Sequence, residues 1–210
     1  MKAYMIHLNQ AHVSSGGKGV VELGQLVSQF NTPAWAPLKN RQSDLVKFLT
    51  TSLAKGDGID YQSLVIMGLL HCADSSMPLE KADALYELLQ EGGAAKHDFI
   101  SSGDKDMEPV FRKLFSMATY LAADGAGLPH LYSSEERYQL DPTVFNQLTG
   151  TDDEEHSILD IIFGVQSKVK YEVFKEKIIK EGKWIFKATE LRKKIHALNN
   201  NMPMKHIQNN

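Results

Sequence analysis

Asp57-Gly58-Ile59-Asp60-Tyr61-Gln62-Ser63-Leu64 opens the stretch that decides the fold, and an apolar run carries it on to Leu70-His71-Cys72. Glu80 to Leu89 follows with helical spacing, then a glycine-bearing loop, then Phe99-Ile100-Ser101-Ser102. A second periodic segment holds Met107, Val110, Phe111, Leu114, Met117 and Leu121 at the three-to-four-residue spacing of an amphipathic helix. The order is therefore extended piece, helix, helix, loop, extended piece, helix. Two short extended pieces, each following a loop, are expected to pair as a miniature sheet between two helix–loop–helix units.

This layout resembles a pair of EF-hands. In that family a helix enters a 12-residue loop with glycine at the sixth position, and a bidentate glutamate closes the loop. The resemblance implies that an Ile or Val at the eighth position pairs with its counterpart in the neighbouring hand. Ile59 and Ile100 fit that place, Asp57-Gly58 fits a remnant of the turn, and Leu64 fits the apolar start of the exiting helix. Val169-Lys170-Tyr171-Glu172-Val173-Phe174 repeats the pattern of Ile59 to Leu64. The expectation is that Ile59 pairs with Ile100, and that Val169 pairs outside the readable hands or not at all.

The liganding residues are largely missing. With Ile59 in the eighth place, the twelfth is Ser63 and the first and third are Ser52 and Ala54. With Ile100 there, the twelfth is Asp104 and the first and third are Gly93 and Ala95. In the third loop Val173 stands at the closing position. Calcium needs at least six oxygens, several of them anionic, and no loop supplies them. No calcium, other metal or cofactor is expected.

A chain of 210 residues, 42% of them hydrophobic, suffices for one globular domain or two small lobes. The single cysteine, Cys72, excludes an internal disulfide framework and suits a reducing, cytoplasmic compartment. A cytoskeletal or ciliary assembly is the setting considered. The longest apolar run, Leu64 to Leu70, is far too short to span a bilayer, so no membrane insertion is expected. Lys2 stands where N-myristoylation needs glycine, and Asn9, Gln10 and His12 interrupt any signal-peptide core.

Residues 1–43 are the least readable. Ser14 to Gly19 is a turn, and its GGKG does not meet the spacing of a phosphate-binding loop. Val20 to Val27 reads as helical, and Asn31 to Leu38 as a proline-bounded connector. By order alone, this region holds an eroded first hand. The first clear hand begins at Asp44, capped by Ser43, and residues 44–122 are expected to form a degenerate EF-hand pair. Pro109 requires a helix that starts late enough to hold it in the first turn.

Ala123 to Pro129 marks a hinge, with 123–140 as the linker between lobes. A C-terminal lobe over 141–182 carries helices capped at Asp141-Pro142 and at Thr151, and a third that ends at Gly182. Residues 183–210 add Lys183-Trp184-Ile185-Phe186, a last helix from Ala188 to about Leu198, and a polar tail. An extra helix after the final hand resembles neuronal-calcium-sensor-like and potassium-channel-interacting proteins. The fold class is thus all-α, with EF-hand-like helix–loop–helix pairs in two lobes and short β-pairings between loops.

No catalytic residues are assigned. Neither a Gly-x-Ser-x-Gly elbow nor a His-Glu-x-x-His is present. Cys72 and His71 are helix neighbours pointing to different faces, so Cys72 reads as a small core residue and His71 as a surface one. Asp152 to Glu155 reads as a negatively charged helix start. Residues 165–210 hold eleven Lys or Arg and four Asp or Glu, a net of +7, which leaves −10 on the other 164. This basic end reads as the solvated face of two helices or a dock for an acidic partner. Without a recognition helix or stacking platform, no nucleic acid is expected.

A calcium sensor opens a helix pair and exposes an apolar groove when the ion binds. A frame without ligands should hold one arrangement permanently. The function expected is a non-catalytic interaction protein, a calcium-independent adaptor or structural subunit of a larger assembly. Its partner would be an amphipathic helix held in an apolar groove by Phe48, Leu64, Met67 and Leu70, with Trp184, Ile185 and Phe186 contributing. Each of these positions also serves as ordinary core. The alternatives are a calcium sensor with atypical loops and an enzyme on a helical scaffold.

Overall fold

The computed structural model describes residues 1–72, 78–90, 98–104, 107–122, 130–133, 136, 140–150 and 157–201. It is mainly helical, with short strands between helices. Helices α1 (Lys2–Ser14), α2 (Leu23–Gln29), α3 (Asp44–Thr51) and α4 (Tyr61–His71) come first. They are joined by strands β1 (Val20–Val21), β2 (Ala54–Lys55) and β3 (Gly58–Asp60) and by a 3-10 helix over Pro33–Lys39. Helices α5 (Pro78–Gln90) and α6 (Met107–Tyr120) flank β4 (Phe99–Ser101). Strands β5 (Leu121–Ala122) and β6 (His130–Leu131) follow, then α7 (Pro142–Thr149) and α8 (Ile158–Phe163). The rest comprises β7 (Lys168–Lys170), α9 (Tyr171–Lys180), a 3-10 turn over Lys183–Phe186 and α10 (Ala188–Asn201).

The strand pairing corrects the sequence-based expectation. Ile59 pairs not with Ile100 but with Val21 of β1, and on its other side with Ala54 of β2. Ile100 pairs with Val169, with Phe99 opposite Lys170 and Ser101 opposite Lys168. Within residues 44–122 the β2–β3 hairpin is paired, but β3 and β4 do not meet each other; β3 takes its second partner from β1 and β4 its partner from β7. The missing partner was hidden because Val20-Val21 is only two residues long. The helix expected over Val20–Val27 starts instead at Leu23, after an extended Glu22. Gly16, Gly17 and Gly19 all adopt positive φ just before it, which re-aims the chain from α1 into the sheet.

Local signals explain most helix ends. Ser43 caps α3 by accepting from the Val46 amide, and Asp60 caps α4 by accepting from the Ser63 amide. Asp141 caps α7, which ends at Gly150 in the left-handed region. Pro109 lies in the first turn of α6, where its missing N–H costs little. Helix α8 begins at Ile158, capped by Ser157; the expected Thr151 cap and the acidic Asp152–Glu155 run lie outside the described residues. The hinge Ala123–Pro129 lies outside them too, but its flanks are joined by pairing of Leu121 with Leu131 and Ala122 with His130.

Helix α4 is the hub. Its residues from Ser63 to His71 are all buried, packed by α1, α5 and α6. That surround corrects the reading of His71 as a surface residue, since the last turn of α4 is buried and the His71 and Trp35 rings lie nearly perpendicular, 6.5 Å apart. Tyr4 of α1 lies across Gly68, where an added Cβ would come within 2.4 Å of its ring. The Tyr4 hydroxyl donates to the Leu64 carbonyl at 2.7 Å, which fixes the ring in that position. One continuous apolar core joins these helices to Phe111, Phe115, Phe145, Ile162, Val169, Phe174 and Ile178.

The C-terminal segment is part of that core. Ile185, Phe186, Ala188, Leu191 and Ile195 are buried, and Trp184 is half-buried. Buried Lys81 donates to the Phe186 carbonyl at 3.3 Å. Helix α10 packs on α6 and α7, and Arg192 donates to the carbonyls of Thr119 and Glu136 while its guanidinium covers the Tyr132 ring. No helix among the described residues is long and apolar enough to cross a membrane.

Candidate functional site

A cleft of about 350 Å³ lies where α3, the β2–β3 hairpin and α6 meet. Its floor is Phe48, Leu53, Met117 and Tyr120, and polar groups of Lys55, Asp60, Lys113 and Ser116 line the rest. The spacing of Lys113, Ser116, Met117 and Tyr120 puts all four on one face of α6. The hairpin supplies Lys55 and Asp60 through a tight turn in which Gly56 has φ +56°.

Asp60 is the electrostatic centre. Its Oδ2 accepts from Lys113 Nζ at 2.8 Å, from the Ser63 hydroxyl at 2.7 Å and from the Ser63 amide at 3.0 Å. Its Oδ1 accepts from Lys55 Nζ at 3.2 Å. Lys113 also donates to Gln62 Oε1 at 3.0 Å. Burial alone would raise the Asp60 pKa; the Lys113 and Ser63 hydrogen bonds and the lysine charges outweigh it and hold the carboxyl below its ordinary range. Two ammonium groups thus surround the Asp60 carboxylate. The Lys113–Asp60 pair also ties α6 to the start of α4, across the two paired sets of strands.

The other loops are built without converging carboxylates in their described parts. In the first, the Gly19 amide donates to His12 Nε2 at 3.1 Å and the His12 ring stacks on Tyr61 at 4.1 Å. Around β4, Asp104 is engaged as the acceptor of the Ser101 amide at 2.9 Å. Gly93 and Ala95 lie outside the described residues. Before β7, Gly164-Val165-Gln166-Ser167 makes a short turn with Val165 fully exposed. Among the described residues no three His, Cys, Asp or Glu side chains gather as a metal site.

Of the proposed partner contacts, Phe48 lines the open cleft, buried along most of its surface. Leu64, Met67 and Leu70 face the interior of α4's surroundings and offer no surface. Ile185 and Phe186 are likewise interior, which leaves Trp184, with Lys194 Nζ 4.7 Å over its ring, as the accessible member of that trio. Ile59, Ile100 and Val169 are buried strand centres. Burial raises the Cys72 thiol above its ordinary range, which leaves little thiolate for chemistry. The sequence reading missed the Lys55–Asp60–Lys113 cluster. The signals were present in Asp60 three residues before Ser63, a cap spacing, and in the Lys113/Met117/Tyr120 stripe.

Comparison with protein-family profiles, curated proteins and solved structures gives no match to this chain.

Proposed function

We propose that this chain is a non-catalytic, calcium-independent interaction protein built on four EF-hand-like frames paired two and two. The observation that carries this reading is the antiparallel pairing of Val21 with Ile59 and of Ile100 with Val169. Each of these four residues is buried in a short strand between two helices. On this reading α1–β1–α2 is the eroded first hand, and the hands of β4 and β7 make the second lobe. The ammonium groups of Lys55 and Lys113 satisfy the loop carboxylate Asp60, so the frame holds its geometry with no ion to bind or release.

A fixed frame suits an adaptor or a structural subunit of a larger cytoplasmic assembly, cytoskeletal or ciliary in setting. Phe48, Leu64, Met67, Leu70, Ile185 and Phe186 then serve as its core, and an amphipathic partner helix would be met from half-buried Trp184. Calorimetry with Ca²⁺ is expected to show no binding in the micromolar range typical of sensors. A one-site isotherm there would overturn the calcium-independent reading. Affinity purification should recover a stoichiometric protein partner whose capture weakens with Trp184→Ala; repeated recovery of the chain alone would remove the adaptor role.

A further inference from the structure

The cleft beside Asp60 has the make-up of a small-ligand site as well as of a structural joint. Its volume, about 350 Å³, falls at the low end of the range in which small organic molecules are held. Buried Phe48, Leu53 and Met117 and half-buried Tyr120 give it an apolar floor. At one end stand two ammonium groups, Lys55 and Lys113, with a single carboxylate between them. Asp60 neutralises one positive charge, and the residues that line the cleft keep a net charge of +1. Both lysine side chains are at least a third exposed, so each can turn one N–H toward an incoming anion while keeping its contact with Asp60. Ser52 and Ser116 add hydroxyl-bearing side chains to the lining.

We propose that this cleft binds a small amphipathic monoanion, an acyl or aryl carboxylate, with its apolar part on Phe48 and Met117 and its carboxylate against Lys55 and Lys113. Charge complementarity selects this class. A neutral apolar molecule leaves the excess positive charge unmet, and a cation is repelled by it. A dianion such as a free phosphate gains the charge but forgoes the floor, whose burial supplies most of the affinity. A ligand held there bridges α3 and the hairpin of the first strand pair to α6 of the second. The inference goes beyond the proposed adaptor role and does not depend on it, because it requires neither a partner nor the EF-hand-like pairing.

The test uses octanoate and octanol, which share a chain and differ in charge, followed by amide chemical shifts of the full-length protein. Octanoate is expected to produce saturable shifts at Ser52, Lys55, Ser63, Ser116 and Met117, with octanol at least about tenfold weaker, the worth of a charge-assisted hydrogen bond. Lys55→Met, on the more exposed of the two lysines, is expected to weaken octanoate about tenfold and leave octanol unchanged. Lys113→Met should do the same and, should it fail to fold, Lys55→Met decides alone. Equal binding of octanoate and octanol, inorganic phosphate binding as tightly as octanoate, shifts that map elsewhere, or no saturable shift at millimolar octanoate each overturns the proposal.

Discussion

At the scale of single residues, Asp60 shows how one side chain can do three jobs. It caps α4, closes the β2–β3 hairpin through Lys55, and anchors α6 through Lys113. Its pKa is lowered in the folded chain, so the sign of its contribution follows. The stabilisation is fully present above the unfolded carboxyl value of about 4 and is lost as pH falls through the lower folded value. Asp60→Asn is expected to cost roughly 1–2 kcal/mol near neutrality, because the charge is lost and only one of the two positions keeps an acceptor oxygen while the amide NH2 faces the other donors. The gap between wild type and variant should then narrow as pH is lowered below about 4. Urea titrations across that range check it, and a gap that does not change with pH would show that Asp60 acts only as a neutral cap.

At the scale of elements, the contact between α1 and α4 is decided by what Gly68 lacks. The Tyr4 ring occupies the place of a Cβ there, is backed by Phe30 and Trp35, and is tied by its hydroxyl to Leu64. Alanine at Gly68 gains about 1 kcal/mol of helix propensity, but overpacking against a fixed ring costs typically 1–3 kcal/mol. Gly68→Ala is expected to lower stability on balance, and to raise it in a Tyr4→Leu background, where the flexible side chain can yield. The non-additivity between the two changes is the diagnostic quantity, measured by a double-mutant cycle in denaturant. Additive effects would mean that the two helices do not meet at this point.

At the scale of the whole molecule, the C-terminal segment determines whether the helical body closes. Ile185, Phe186, Leu191 and Ile195 are buried against it, and burial of each such side chain is worth about 1.5–3 kcal/mol. Lys81 would lose its bond to the Phe186 carbonyl, and Thr119 its bond from Arg192. Deleting residues 183–210 is expected to lower the melting temperature and to increase binding of a hydrophobic dye. An unchanged melting temperature and dye response would make the segment dispensable.

The sequence by itself determined the elements whose signals are local. The caps Ser43 and Asp141, the αL stop at Gly150, the late start forced by Pro109 and the anchoring role of Trp184-Ile185-Phe186 all follow from side chains acting on neighbouring backbone or from a run of apolar mass. Ile59, Ile100 and Val169 were likewise legible as strand centres, because a β-branched residue after a turn has few other uses. Which strand meets which was not legible. A two- or three-residue strand carries almost no pairing information, and Val21, Ile59, Ile100 and Val169 are chemically interchangeable. The choice of Val21 for Ile59 and Val169 for Ile100 is made by how the flanking helices pack. Tertiary structure alone also brings Lys113 to Asp60 across 53 residues and buries His71, since long-range charge pairing and the sealing of a helix end depend on neighbours that no local spacing encodes.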